Sequence, residues 1–167
     1  DQIRAVGEVE RGLAGREIDV AGLVVAPGFI DLHTHTDRKI FDNPLGDSKV
    51  MQGVTTDVTS NCGIGPFPAA AGRFAELESY LGTLSGSLPD GGVCWNDFDG
   101  FAAVVEKANP GINLVMLAAQ GALRIAAVGW DDRPPTPAEL AEMQQLLDES
   151  LSQGAWGMSG GLVYPPG

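Results

Sequence analysis

The chain has 167 residues, of which 44% are hydrophobic, and this is enough for one globular domain with a core. Its 22 acidic and ten basic residues give a formal net charge of −12, which opposes binding to nucleic-acid phosphates or to an anionic membrane surface. The sequence also contains no apolar run of membrane-spanning length, so a small molecule is the expected partner.

The first 25 residues contain short apolar runs separated by turns rich in glycine and alanine. These runs are residues 3–6, 18–20 and 23–25. Apolar and polar residues alternate over stretches too short for a helix, which predicts short antiparallel strands.

From residue 26 the pattern changes to strands that alternate with helices, which is typical of a parallel α/β sheet. The predicted strands are residues 29–33, 54–59, 112–118 and 155–159, and the predicted helices are residues 73–81, 98–108 and 137–153. In the last helix, Thr136 and Glu139 form a capping box and Gly154 marks the end. Its apolar positions, which predict one stripe facing the core, are Leu140, Met143, Leu147 and Leu151.

A long segment, residues 66–109, separates the second and third predicted strands. Segments of this kind at the carboxyl ends of parallel strands often form the walls of an active site. We therefore expect part of a binding site here.

The only two histidines, His33 and His35, stand two residues apart at the end of the first predicted strand. Because side chains alternate along a strand, both imidazoles would project the same way and could bind one metal ion. A His-x-His pair also occurs by chance, so the interpretation depends on further ligands. The neighbouring Asp31 and Asp37 could each orient a metal-bound imidazole or act as ordinary capping carboxylates.

The second predicted strand is followed by Asn61, Cys62 and Gly63, which places a thiol where a strand passes into a loop. Two imidazoles and one sulfur favour zinc over magnesium or calcium. Taken alone, a cysteine is more often a small buried apolar residue. The other cysteine, Cys94, has no metal-binding spacing and is predicted to be structural. So few cysteines, outside any Cys-x-x-Cys pair, indicate a reduced, cytoplasmic protein.

Several stretches together resemble one family. They are Ala-Pro-Gly-Phe-Ile-Asp-Leu-His-Thr-His at residues 26–35, then residues 48–56, the Asn-Cys-Gly turn at 61–63, and residues 136–143 and 154–167. The chain resembles the amidohydrolase superfamily and, within it, the D-aminoacylases, which are N-acyl-D-amino-acid deacylases. The resemblance implies an α/β fold: residues 1–25 would be part of an N-terminal β-sandwich, and residues 26–167 the first four βα units of an incomplete TIM-like (β/α)8 barrel.

The resemblance also implies a function, the hydrolysis of the amide bond of N-acyl-D-amino acids by a metal-activated water. One or two zinc ions would be held by His33, His35 and Cys62. Many amidohydrolases bridge two ions with a lysine or a glutamate from the fourth strand, and residues 154–162 contain neither. The resemblance to D-aminoacylases implies that Cys62 takes this bridging role. The family's general base is an aspartate on the last barrel strand, and two more histidine ligands come from the fifth and sixth strands. These are expected downstream of Gly167, so the chain by itself is expected to be an inactive fragment.

Further residues are expected to contact the substrate, an N-acyl-amino acid. The resemblance suggests Tyr164 and Ser159, although Tyr164 could instead pack as an aromatic ring. Arg124 could pair with an anionic substrate or form a structural ion pair. Gln120 stands where the family usually has a histidine. Glutamine still accepts and donates hydrogen bonds but cannot become a cation, so this difference bears on the expected substrate preference rather than on the zinc chemistry.

Other functions are compatible with the same residues. Cys62 could be a catalytic thiol, although neither histidine would then be free to act as its base. A dihydroorotase-like or hydantoinase-like enzyme would share the histidine pair but is expected to carry a lysine or glutamate on the fourth strand. A non-catalytic metal-binding fragment would keep the fold without the downstream base.

Overall fold

A computed structural model of the chain describes residues 2–10, 12, 14–82, 86 and 95–166. Its strands are β1 (Phe29–Asp31), β2 (Val54–Thr59), β3 (Asn113–Met116), β4 (Ala118–Ala119) and β5 (Met158–Ser159). Its α-helices are α1 (Lys39–Asp42), α2 (Asp47–Val50), α3 (Phe74–Leu81), α4 (Phe98–Lys107), α5 (Gln120–Ala127) and α6 (Pro137–Gln153). The structure confirms the α/β class.

Every strand pair among the described residues is parallel. β2 pairs with β1 on one side and β3 on the other, and β4 pairs with β5. Only Leu117 separates β3 from β4, and its N–H donates to the Thr59 carbonyl at 3.3 Å. The Trp156 N–H donates to the Met116 carbonyl at 3.0 Å. The four predicted strands therefore lie side by side in chain order, and their carboxyl ends meet at one edge.

The prediction for the first strand was too long. β1 ends at Asp31, because the Asp31 side chain accepts a hydrogen bond from the His33 N–H at 3.2 Å and the chain turns there. His33 and His35 therefore lie in the turn after β1 rather than on a strand. The last strand is also shorter than predicted, whereas β2 has the predicted bounds.

The helix predictions hold where the sequence carries end signals. In α6, Thr136 Oγ1 accepts the Glu139 N–H at 3.3 Å and the Glu139 carboxylate accepts the Thr136 N–H at 2.7 Å. α3 and α4 agree with prediction to within one residue at each end. Among the described residues, no helix is both long enough and apolar enough to cross a bilayer.

The predicted apolar stripe of α6 is only partly buried. Met143 and Leu147 are half-buried, and Leu147 packs against the core, but Leu140 is 46% exposed and Leu151 is 41% exposed. α6 packs on α4, α5 and β4, yet the two ends of the stripe remain in solvent. The expectation of one continuous core stripe is wrong at both ends.

The core beside the sheet is centred on aromatic rings. Phe101 of α4 is buried, and its ring centroid lies 5.0 Å from that of Trp95, 5.9 Å from that of Phe67 and 6.2 Å from that of Phe41. Aromatic pairs at these distances add to the free energy gained by burial. The cluster thus ties α4 to α1 and to the segment after β2.

The amino-terminal segment carries no strand among its described residues 2–10, 12 and 14–28, all of which are exposed. The expectation of antiparallel strands at residues 3–6, 18–20 and 23–25 is therefore wrong. The hydrogen bonds there are local, such as Leu23 N–H to the Val20 carbonyl at 2.9 Å, and a strand requires a paired neighbour. Apolar side chains such as Ile3 (85% exposed) and Val24 (93% exposed) consequently remain in solvent.

The long segment after β2, residues 66–109, contains the whole of α3 and α4. Cys94, which is predicted to be structural, lies outside the described residues, as do residues 83–85 and 87–93. A role for this segment as an active-site wall stays a prediction.

Candidate metal centre

Three side chains meet at the edge where β1 and β2 end. His33, His35 and Cys62 each bring one potential ligand atom to within 4.8 Å of the others. Cys62 Sγ lies 3.2 Å from His33 Nε2, and the two imidazole centroids are 5.8 Å apart. The spacing is small enough for all three to bind a single ion.

The potential ligand atoms of this cluster fit zinc. His33 is exposed, His35 and Cys62 are half-buried, and the buried His35 Nδ1 has no hydrogen-bond partner among the described residues. A buried nitrogen without a partner is costly, which a bound ion or its ligands would relieve. Two imidazoles and a thiolate are preferred zinc donors, and three protein ligands leave a position open.

The turn that carries Cys62 is strained. Ser60 has φ 62°, Cys62 has φ 58° and Gly63 has φ 72°, all in the left-handed region. A non-glycine residue is uncommon there and costs on the order of 1–3 kcal/mol. These dihedral angles turn the chain sharply after β2, so that the Cys62 thiol faces the histidines.

Two neighbouring side chains hold this turn. The Ser159 hydroxyl donates to the Ser60 carbonyl and accepts the Gly63 N–H at 3.0 Å. The Tyr80 hydroxyl donates to the Gly63 carbonyl at 3.0 Å. Burial raises the pKa of Tyr80 to about 12, so its hydroxyl keeps its proton and remains a donor.

The loop after β5 packs closely on the same turn. A Cβ at Gly161 would lie 1.9 Å from the Cys62 carbonyl oxygen and 3.0 Å from Tyr164 Cδ2. No side chain fits at such a distance, so the position requires glycine. The loop after β5 therefore helps to place Cys62.

The two predicted substrate-binding residues lie in different environments. Ser159 is buried and its hydroxyl is engaged in holding the Cys62 turn, so substrate contact would require those bonds to rearrange. Tyr164 is 40% exposed in the loop after β5, and its N–H donates to the Gly161 carbonyl at 3.0 Å. The substrate role of both stays a prediction.

The carboxylates that flank the histidines bond groups other than the imidazole nitrogens. Asp31 accepts hydrogen bonds from Lys49 and from the His33 N–H, and these lower the pKa of Asp31. Asp37 is buried and accepts the hydroxyls of Thr59 and Ser60, and its burial raises its pKa. Within the described part of the chain, neither carboxylate bonds an imidazole nitrogen. The expected carboxylate–imidazole contact is therefore not made, and the alternative, a capping role, holds for Asp31.

Arg124 serves the fold of a loop. It is buried on α5, and its Nη2 donates to the carbonyls of Asp131 at 2.7 Å and Arg133 at 2.8 Å. Within the described residues these backbone contacts replace the expected pairing with a substrate or a carboxylate. The guanidinium fixes the connection between α5 and α6.

Gln120 lies at the start of α5, beside the Cys62 turn. Its buried Oε1 has no partner among the described residues and would lie 3.6 Å from a Cβ built on Gly63. An unused acceptor thus faces the site at the position where the family usually has a histidine.

Lys49 and Asp57 are near the site but were missed by the sequence analysis. Lys49 of α2 pairs with Asp31 and lies 3.9 Å from the fully buried carboxylate of Asp57. Asp57 also accepts the Thr36 hydroxyl at 2.6 Å. The signal was a charged residue inside the otherwise β-branched stretch 54–59, because a buried charge requires partners.

An open cavity of about 550 Å³ adjoins the two histidines. Its wall includes His33, His35, Lys39, Lys49 and Asp57. Ligand sites in proteins have volumes of about 300–1,000 Å³, so a small molecule could reach this edge of the sheet.

Known proteins match the chain over most of its length. The model of the Amidohydrolase family matches residues 16–163. A D-aminoacylase of Alcaligenes xylosoxydans xylosoxydans is 38% identical over 99% of this chain, which covers 33% of that enzyme. The N-acyl-D-aspartate deacylase of the same organism is 36% identical over 99% of this chain and 32% of the enzyme.

Solved structures agree with the sequence matches. A D-aminoacylase with a binuclear metal centre gives a TM-score of 0.80 at 39% identity, over 99% of this chain and 34% of that one. The N-acyl-D-glutamate deacylase from Bordetella bronchiseptica, complexed with zinc and a phosphonate inhibitor, gives a TM-score of 0.71 at 37% identity. The match covers 84% of this chain and 28% of that one. This chain spans about a third of the length of these relatives. Because the family model covers most of its residues, the chain belongs to the amidohydrolase family.

Proposed function

We propose that the complete protein to which these residues belong is a zinc-dependent hydrolase that cleaves the amide bond of N-acyl-D-amino acids. The observation that carries the proposal is the convergence of His33, His35 and Cys62 to within 4.8 Å. The similarity to a D-aminoacylase and to a zinc-bound N-acyl-D-glutamate deacylase supports the substrate class and a cofactor of one or two zinc ions.

In this proposal the chain supplies part of the metal centre. His33 and His35 would hold zinc through imidazole nitrogen, and Cys62 would hold it through sulfur, shared between ions where two are bound. Bound zinc supplies Lewis-acid chemistry, polarising the amide carbonyl and activating water for attack. The Cys62 turn holds its sulfur near the imidazoles before the ion binds, which lowers the entropy cost of binding.

The substrate would be positioned by residues around the same turn. Tyr164 is a candidate donor to the substrate's carboxylate or carbonyl, and Gln120 Oε1 is a candidate acceptor for its amide N–H. Ser159 contributes through the Cys62 turn and, if its bonds rearrange, directly. The general base and two further histidine ligands would come from residues outside these 167, as the family resemblance implies.

We further propose that residues 26–167 are the first four βα units of a TIM-like barrel. We also propose that residues 1–25, whose described part forms no strand by itself, belong to a β-sandwich completed by residues outside these 167. Four parallel strands in chain order support the first assignment. Two apolar residues on β1 are exposed, Phe29 at 61% and Ile30 at 59%, and this is apolar surface that the remaining elements of a barrel would cover. A small-molecule substrate without nucleic-acid or membrane binding, and a cytoplasmic location, remain predictions from charge and cysteine content.

The test is a stereospecific assay of the full-length protein. N-acetyl-D-amino acids and their L enantiomers are compared before and after zinc removal by a chelator. We expect hydrolysis of the D forms, loss of activity without zinc, and recovery on adding it back. Activity that is indifferent to chirality or to zinc would contradict the proposal, and a preference for cyclic amides tested in parallel would support a dihydroorotase-like or hydantoinase-like enzyme.

A further inference from the structure

The turn that carries the two histidines is fastened at its middle to β2. The Thr34 N–H and Oγ1 both donate to the Val58 carbonyl, at 3.0 Å and 2.9 Å. Asn61 Nδ2 donates to the same carbonyl at 2.9 Å. These bonds fix Thr34, which lies between the histidines, but they leave both ends of the turn to other contacts.

Each end of the turn is held by a carboxylate from a different strand. At the start, the His33 N–H donates to Asp31 Oδ1 at 3.2 Å. At the end, Thr36 Oγ1 donates to Asp57 Oδ2 at 2.6 Å. The relative positions of Asp31 on β1 and Asp57 on β2 therefore set the shape of the turn.

One cation joins these two carboxylates. Lys49 Nζ donates to Asp31 Oδ2 and lies 3.9 Å from Asp57 Oδ1. Asp57 is fully buried, and its Oδ1 accepts no hydrogen bond within the described residues, so the Lys49 ammonium is its charge partner there. We call Lys49, Asp31 and Asp57 together the Lys49 clamp.

We propose that Lys49 is a positioning residue of the metal centre: through the Lys49 clamp it holds both ends of the His33–Thr36 turn and preorganises the two imidazoles for the ion. The inference rests on the proposed function to the extent that His33 and His35 bind zinc. Without Lys49 the imidazoles remain, but the turn must be ordered when the ion binds, and this weakens binding.

The first test measures zinc affinity of the full-length protein by competition with a chromophoric chelator. We expect Lys49→Met to weaken zinc binding by about tenfold or more, as outer contacts of metal ligands commonly do. Lys49→Arg, which keeps the charge, should recover most of the affinity. Lys107→Met is the matched control, because Lys107 is exposed in the last turn of α4, and it should bind zinc like the wild type.

A second variant separates positioning from folding. Thr36→Val keeps all three charges of the Lys49 clamp and removes only its bond to the end of the turn. It should also weaken zinc binding. The loss of zinc affinity in the double variant with Lys49→Met should be smaller than the sum of the two single losses, because both substitutions act through Asp57. If Lys49→Met fails to fold, Thr36→Val decides alone. Wild-type zinc affinity in a folded Lys49→Met or, failing that, in Thr36→Val overturns the inference.

Hydrogen exchange gives a readout that does not depend on the metal. In the zinc-free protein, the His33 amide should exchange faster in Lys49→Met than in Lys107→Met, because its acceptor Asp31 loses its partner. His33→Ala separates the two claims. Zinc lost in His33→Ala but retained in Lys49→Met would overturn this inference alone, whereas a wild-type protein that binds no zinc would overturn the proposed function as well.

Discussion

At the scale of single residues, Cys62 combines backbone strain with the chemistry of the site. Ser60 and Cys62 both adopt positive φ in one short turn, at a cost on the order of 1–3 kcal/mol each. Hydrogen bonds from Ser159 and Tyr80 offset part of that cost. The arrangement directs Cys62 Sγ to 3.2 Å from His33 Nε2.

The close approach of Gly161 gives a prediction about this turn. Gly161→Ala should displace Cys62 and weaken zinc binding by about tenfold or more, because the new Cβ would lie 1.9 Å from the Cys62 carbonyl oxygen. Gly160→Ala is the matched control, since a Cβ there meets no atom within 4 Å. Chelator competition on the two full-length variants checks the prediction, and equal affinities would show that the contact does not position Cys62.

Gln120 gives a prediction about the substrate. A buried acceptor without a donor costs about 1–3 kcal/mol, so Gln120→Met, which keeps the size of the side chain, should not lower the free energy of unfolding. It should lower kcat/KM for N-acyl-D-amino acids, with zinc affinity unchanged. Urea unfolding and steady-state kinetics check both parts. A variant that is less stable yet fully active would mean that the amide serves the fold.

At the scale of secondary structure, local signals predicted some elements well. β2 and α6 have the predicted bounds because a β-branched run and a capping box specify them without tertiary help. α5 was missed because it has only eight residues, six of them buried, whereas a helical repeat is recognised over a window of about 11–18 residues. β1 ends early because the Asp31 side chain takes the His33 N–H, which no local pattern reveals.

The start of α6 gives a prediction about pH. Hydrogen bonds from Arg133, and then from the backbone and hydroxyl of Thr136, hold the pKa of Glu139 well below its ordinary value of 4.5. A carboxyl group whose pKa is lowered by folding stabilises the fold fully above its unfolded pKa, and that contribution is lost as the pH falls through the folded pKa.

We therefore expect the difference in unfolding free energy between the wild type and Glu139→Gln to shrink as the pH falls from neutral to about 3. Urea denaturation at a series of pH values measures it. Arg133→Met should reduce the same pH dependence, since Arg133 is the largest cause of the shift. A difference that stays constant with pH would mean that Glu139 acts only as an uncharged cap.

At the scale of the whole molecule, parallel strands in chain order bring residues distant in sequence to one edge. The sequence predicted that His33, His35 and Cys62 would converge, and they do, although the histidines lie in a turn rather than on a strand. Their role as metal ligands stays a prediction. The Lys49 clamp was not predictable, because its three members come from β1, α2 and β2 and meet only once the sheet has formed.

The most direct test of the metal centre is the absorption spectrum of the full-length protein loaded with cobalt(II) in place of zinc. We expect a thiolate-to-cobalt charge-transfer band in the near ultraviolet that disappears in Cys62→Ser, together with weaker cobalt binding in His33→Ala and His35→Ala. A spectrum without that band, or one that Cys62→Ser leaves unchanged, would contradict the assignment of His33, His35 and Cys62 to one metal centre.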